Sequence, residues 1–194
     1  MNIRNGIALL GLLAAACSTN NQRSDLVITK VIEATNSGAG TACVFSTTAD
    51  ELVFSTLNPT TNVGEVAAVV ENHLLDPSSL NPLLRTDSAQ FQPHQVVVDY
   101  EVLPRTAGAP PPYGPIPRQI VAAGGVVVPT GGSGTVGAPL FLPGVLPAGA
   151  ATGDIIRTTF HVEGKLADGS TVRTNDREYL FRICTTCATT NACL

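Results

Sequence analysis

The chain has no tryptophan, a single methionine and few aromatic residues, 5% of the total. Sugar recognition by ring stacking therefore has little to work with. Charge is sparse too: 13% of residues, with a formal net charge of −4. No basic cluster exists, so the electrostatic footprint of a nucleic-acid partner is missing. No apolar run approaches the roughly 20 residues of a membrane-spanning helix, and no internal repeat is visible. What is abundant is glycine and proline, 18 and 14 residues, together with valine and threonine. That palette belongs to an all-β protein with many turns.

The N-terminus carries its own signal. Arg4 supplies a positive charge, residues 7–16 are apolar apart from Gly11, and Leu12-Leu13-Ala14-Ala15-Ala16 leads directly into Cys17. The apolar run is too short to span a bilayer and has the layout of a secretory signal peptide. Small residues followed by one cysteine resemble the lipobox of bacterial lipoproteins, although Ala14 stands where leucine is commonest. The resemblance implies cleavage before Cys17, lipid on its sulfur and amine, and stable anchoring by two or more acyl chains. Ser18 follows, where aspartate would favour inner-membrane retention, so the outer membrane is expected. A secreted protein cut at an ordinary A-x-A site is the alternative. Residues 18–24 are polar and read as a tether, with about 3.3–3.6 Å of reach per residue. The organisation is thus a signal peptide over 1–16, a lipidated tether over 17–25 and one domain over 26–194. Removing the first sixteen residues leaves 178, ample for one core, and takes the net charge to −5.

With Cys17 assigned to lipid, Cys43, Cys184, Cys187 and Cys193 remain. An even number in an exported chain points to disulfides, with three possible connectivities. Pairing Cys187 with Cys193 and Cys43 with Cys184 would tie the first strand region to the last. Cys184-Thr185-Thr186-Cys187 also has the spacing of half a zinc site or of a redox pair. Zinc would need a reducing setting, and a redox pair normally opens a helix.

Strand signals run along the whole domain. Residues 26–34 are β-branched and apolar; 43–45 and 51–56 are short candidates. Residues 63–74 fit a helical stripe or a strand. The strand is preferred, with Val66, Ala68, Val70 and Leu74 on one face and Glu65, Glu71 and His73 on the other. Asn72 follows the apolar face, which predicts a buried amide holding a neighbouring loop. Residues 95–103 alternate cleanly, Val96, Val98, Tyr100 and Val102 against Gln95, Val97, Asp99 and Glu101. Six prolines over 104–117 force an exposed loop. Residues 119–128 hold one or two strands around Gly124-Gly125. Residues 130–147 read as a long connection, with at most an edge strand at 140–142. From 155 to 184 the pattern is a hairpin, with Asp168-Gly169 as a two-residue turn. That register sets Ile156 opposite Phe181, Thr158 opposite Tyr179 and His161 opposite Asp176. It also sets Arg177 beside Phe160, so a bulge near Asn175-Asp176 is expected to turn Arg177 outward. Seven to nine strands with long connections suggest an immunoglobulin-like antiparallel β-sandwich, without the Cys-Trp-Cys pattern of antibody domains.

Candidate chemistry is thin. The run Gly131–Gly137 lacks the Lys-Ser/Thr ending of a phosphate loop, and Gly132-Ser133-Gly134 is not the GxSxG of a nucleophile elbow. His73, His94 and His161 lie far apart in the chain. His161 with Glu163, and Asp99 with Glu101, each share a strand face; solvated cross-strand pairing is the plainer expectation for both. No calcium-loop spacing occurs, and no metal or cofactor is implied. The lipobox, Glu71-Asn72-His73-Leu74, the 160–175 hairpin and the cysteine tail together resemble outer-membrane lipoproteins of myxobacterial type. The resemblance implies location and no activity. The expected function is a non-enzymatic envelope module that docks another protein. A small-ligand or glycan-binding module is the alternative, and a hydrolase with an unrecognised site ranks third.

Overall fold

The computed structural model describes residues 25–33, 35–36, 43–44, 51, 54–58, 64–75, 89–142, 144–146 and 149–184. The signal peptide, Cys17, the tether up to residue 24, Cys187 and Cys193 lie outside the described residues.

Every regular element among the described residues is a strand: β1 (Leu26–Glu33), β2 (Thr35–Asn36), β3 (Cys43–Val44), β4 (Phe54–Leu57), β5 (Gly64–Asn72), β6 (Phe91–Val102), β7 (Gln119–Ala122), β8 (Gly124–Gly125), β9 (Ser133–Phe141), β10 (Ile155–Leu166), β11 (Thr171–Arg173) and β12 (Arg177–Ile183). They form a β-sandwich. The small sheet has order β1-β5-β9-β8, and the large sheet β4-β12-β10-β6-β7 with β11 beside β10. The pairings are antiparallel except that β4 runs parallel to β12 at the edge of the large sheet, a departure from the wholly antiparallel expectation. β2 and β3 form a separate two-stranded ladder.

Alternation explains the layers. Val66, Ala68 and Val70 of β5 and Val136, Ala138 and Leu140 of β9 face Val96 and Val98 of β6 and Ile156, Phe160 and Val162 of β10, all buried in one core. Tyr100, Phe141, Phe181 and Tyr179 continue that core as an edge-to-face chain, with ring centroids 5.0–5.5 Å apart. The Thr158 hydroxyl, fully buried, donates to the Tyr179 carbonyl at 2.9 Å. Asn72 is 1% exposed and lies at the end of the β5 inner row. Its Nδ2 donates to the carbonyls of Ala89 (2.8 Å) and Val128 (3.4 Å), and its Oδ1 accepts from Leu74 N–H. It is the loop-holding amide expected from the sequence.

Three expectations change. Residues 130–147 are not simply a connection: β9 occupies an interior position of the small sheet, paired with β5 and β8. Gly134, Gly137 and Pro139 hide its alternation, and Pro139 is tolerated because it sits beside the register shift at Gly64/Glu65. The 166–170 connection is a three-residue loop. Leu166 N–H donates to Ser170 O, Gly169 N–H to Leu166 O, and only Gly169 has positive φ, +88°. This is a turn closed by a left-handed glycine. It moves the register by one, to Lys165 opposite Thr171. The extra residue expected near Asn175-Asp176 is present, between Glu163–Arg173 and Phe160–Arg177. Because the loop is one longer than expected, this bulge restores the inferred pairing of Ile156 with Phe181. Arg177 is therefore not turned outward. It stays opposite Phe160, half-buried, and pairs with Glu51. Asn175, in the bulge, caps the edge of β1: Ile28 N–H donates to its Oδ1 at 2.6 Å, and its own N–H donates to Leu26 O at 3.2 Å.

Candidate functional site

The sequence candidates on β6 and β10 meet on the outer face of the large sheet. Gln95, Val97 and Asp99 leave β6 on this face, and Thr159, His161 and Glu163 leave β10 beside them, since each ladder pair points its side chains the same way. Arg118, Ile120, Arg173 and Asp176 complete the rim of a depression of about 320 Å³. His161 is its floor at 9% exposure, more buried than a plain surface pair would be. Its Nδ1 lies 3.0 Å from Asp176 and its Nε2 3.3 Å from Glu163. Glu163 also accepts from Gln95 Nε2 at 2.7 Å. That bond, then His161, holds its carboxyl below the ordinary glutamate range against the opposing effect of burial.

Asp99 and Glu101 do not work as a pair. Asp99 takes a two-pronged bond from Arg118 at 2.7 and 2.8 Å, and Glu101 accepts from Arg157 at 3.0 Å. Arg157 sits directly opposite Glu101 in the β6–β10 ladder. Neither partner was readable in the sequence, because no turn joins β6 to β10 and Arg118 follows the proline-rich loop, so neither register can be counted. His73 pairs with Glu71 at 3.2 Å beside Gly131, Gly132 and Ser133. His94 is exposed, next to Gly164 and Lys165.

A constellation the sequence did not disclose sits at one end of the sandwich. Asp154, 3% exposed, is gripped by Arg105 at 2.6 and 2.9 Å and by Ala151 N–H at 2.9 Å. Arg105 above all keeps its carboxyl below the usual range. Tyr113 stands in the field of the same pair; burial first, then Asp154, pushes its hydroxyl up to about 12.

The outer face of the small sheet is different. A groove of about 860 Å³ runs over β5, lined by Thr29 and Lys30 from β1, Glu65, Val69 and Glu71 from β5, and Ser133, Thr135 and Gly137 from β9, with Gly124, Gly125 and Val126 as one wall. Val69 belongs to a small apolar cluster with Ile32 and Ala67, separate from the main core. Burial raises the Glu65 carboxyl above its ordinary range.

Among the described residues no group of three or more His, Cys, Asp or Glu side chains could hold a metal ion. No described helix is long and apolar enough to cross a membrane. Cys184 is 8% exposed and disulfide-bonded, its partner sulfur lying outside the described side chains. Compared with known proteins, the chain matches no family model, no curated protein and no solved structure.

Proposed function

We propose that the chain is an outer-membrane lipoprotein, anchored through lipid on Cys17, whose β-sandwich is a non-enzymatic module that docks another envelope protein. The lipobox supports the anchor. The observation that carries the docking reading is the groove on the small sheet: at about 860 Å³ it is larger than the His161 depression, and its lining is mostly small, from Thr29, Ser133, Thr135 and glycines with Val69 and Val126. Chemistry at the His161 depression is disfavoured because a carboxylate lies at each ring nitrogen. Neither nitrogen is thus directed at a position where a substrate hydroxyl could sit, as a general base must be. The immunoglobulin-like assignment of the sandwich is part of the proposal, supported by its two-layer packing of largely antiparallel sheets. So is a structural disulfide set drawn from Cys43, Cys184, Cys187 and Cys193. Replacing Cys187 by serine should then lower the melting temperature by well over a few degrees, because losing such a bridge removes about 2–5 kcal/mol.

The docking reading is tested by in-cell crosslinking of the natively anchored protein, with mass spectrometry of what co-purifies. One enriched envelope protein, lost when Thr135→Trp fills the groove, is the expected result. A partner indifferent to that substitution, or no specific partner, would remove the groove from the account. The second reading, a small polar ligand or glycan in the His161 depression, is favoured by its dense set of hydrogen-bonding side chains. Ligand screening of the folded domain, with Asp99→Asn as control, tests it.

A further inference from the structure

The chain enters the sandwich at one end. Asp25 O, just before β1, accepts from His73 N–H at 2.6 Å, and Leu26 stands opposite Asn72. Gly132 O accepts from Asn72 N–H, which brings the 129–132 turn to the same end. Phe91 exchanges backbone bonds with Val128 and lies opposite Leu166, so the large sheet contributes the start of β6 and the 166–170 turn. Among the described residues six large apolar side chains are exposed, and three of them lie at or beside this end. Leu75, beyond β5, is 77% exposed; Val126 and Val127, leading into Val128, are 62% and 45% exposed. Singly exposed apolar residues are ordinary. These three gain meaning from where the chain is held.

With lipid on Cys17, eight residue steps separate the anchor from Asp25. That is at most roughly 30 Å of chain. β6 runs from this end, at Phe91, to the other, at Val102, in 12 residues. At about 3.3–3.4 Å per residue it covers roughly 35–40 Å. The tether is therefore too short to turn the far end, with the proline-rich loop and the Arg105–Asp154 grip, onto the bilayer. The near end is the one that reaches it. Its charged groups are Asp25, Glu71 beside His73, Lys165 and Asp168, three carboxylates against one lysine. Attraction to anionic headgroups is thus not what would hold it; apolar contact is.

We infer that Leu75, Val126 and Val127 seat the N-terminal end of the sandwich in the interfacial layer of the bilayer that holds the protein's own lipid. This rests on the lipid-anchor reading above and adds an orientation. The 104–117 loop points away from the membrane, and the groove on the small sheet opens sideways, along it. The anchor makes the contact intramolecular, so three apolar side chains suffice where they would not recruit a free domain.

The chain has no tryptophan, so a single introduced indole reports its own surroundings. The acylated full chain is reconstituted in phosphatidylcholine vesicles as four variants: Leu75→Trp, Val127→Trp, Ile120→Trp on the open edge of the large sheet, and Ala109→Trp in the far loop. All four positions are exposed. Brominated phosphatidylcholine should quench Leu75→Trp and Val127→Trp at least about twofold, as for a ring about 5–10 Å into the interface. It should leave Ile120→Trp and Ala109→Trp unquenched, and added salt should change neither result. Equal quenching at all four positions, or none at Leu75→Trp and Val127→Trp in a chain that floats with the vesicles, overturns the inference and leaves the anchor standing. A chain whose mass shows no lipid on Cys17 and that does not float overturns the anchor reading and this one with it.

Discussion

The outer faces of the two sheets come from the same alternating pattern, yet they settle their polar groups in different ways. On the large sheet, charge is consumed within the face: Arg157 on Glu101, Arg118 on Asp99, Gln95 and His161 on Glu163, and Asp176 on His161. On the small sheet, Glu65, Val69 and Glu71 flank a groove with little side-chain bulk. A face whose charges are paired across its ladders gains rigidity and modest stability and has little left to offer a partner. On the small sheet Glu71 is paired too, with His73, and Ile32, Ala67 and Val69 at the centre are buried, but Thr135 and the glycines beside them leave a groove of about 860 Å³. The comparison therefore teaches where to look for a partner, although the core beneath both faces is one and the same.

The hardest test of that shared core is at Gly164. β6 carries an extra residue at His94, between Glu163 opposite Gln95 and Gly164 opposite Pro93, and this brings the two strands very close. A β-carbon at Gly164 would sit 2.1 Å from the Gln92 carbonyl oxygen and 2.6 Å from the Phe91 ring. Neither can yield easily, the first being backbone and the second a fully buried side chain. Gly164→Ala should lower stability by about 3 kcal/mol, at the upper end of overpacking effects, measured by urea denaturation. Both faces should lose structure together. If only the charged face were disturbed, the sheets would be energetically separable and the comparison would become one of two units.

Asn72→Ala should have the next largest effect. It strips the carbonyls of Ala89 and Val128 and the N–H of Leu74 of a partner at the buried end of β5. The expected loss is about 2 kcal/mol, the range for leaving buried groups unsatisfied. Hydrogen exchange should speed up first at residues 72–75 and 89–91, at the end of the small sheet near Glu71, while the Asp99–Arg118 region keeps its protection. Uniform exchange throughout would mean that Asn72 acts on global stability alone.

How much of this was legible depended on what hid the period-2 signal. The strands over 26–33, 64–72, 95–102 and 155–166, and the buried amide at Asn72, could be read because valine and isoleucine alternate with polar residues there. β9 could not, because Gly134, Gly137 and Pro139 supply the composition of a loop while Val136, Ala138 and Leu140 supply the burial. The hairpin register was inferred with two offsetting misreadings: the loop is one residue longer than Asp168-Gly169 suggests, and the bulge takes the extra residue back. Of the site, the His161–Asp176 pair followed from that register. The Arg105–Asp154 grip and the groove did not, since both depend on how distant segments pack, which local spacing does not encode.

The smallest expected effects carry the sharpest sign. Hydrogen bonds from Gln95 and then His161 depress the Glu163 carboxyl, and burial raises that of Glu65. Stability from a depressed carboxylate is fully present above its unfolded pKa and is lost as pH falls through the folded value. A raised carboxylate works in the opposite sense: its contribution is complete below the unfolded pKa and disappears as pH rises through the folded value. Urea denaturation at pH values from about 3 to 7, the range that brackets ordinary carboxylates, should therefore separate the two faces. Glu163→Gln should lower stability near neutrality and flatten its fall toward acid. Glu65→Gln should raise stability near neutrality and change nothing at the acid end. Each change should be less than about 1 kcal/mol, since both groups are partly solvated. Opposite signs at neutral pH would establish that the large sheet spends its carboxylates on folding while the small sheet carries one at the expense of folding, as a residue kept for binding would be. The same sign at both positions would dissolve the distinction between the faces, and with it the reason to seek the partner on the small sheet.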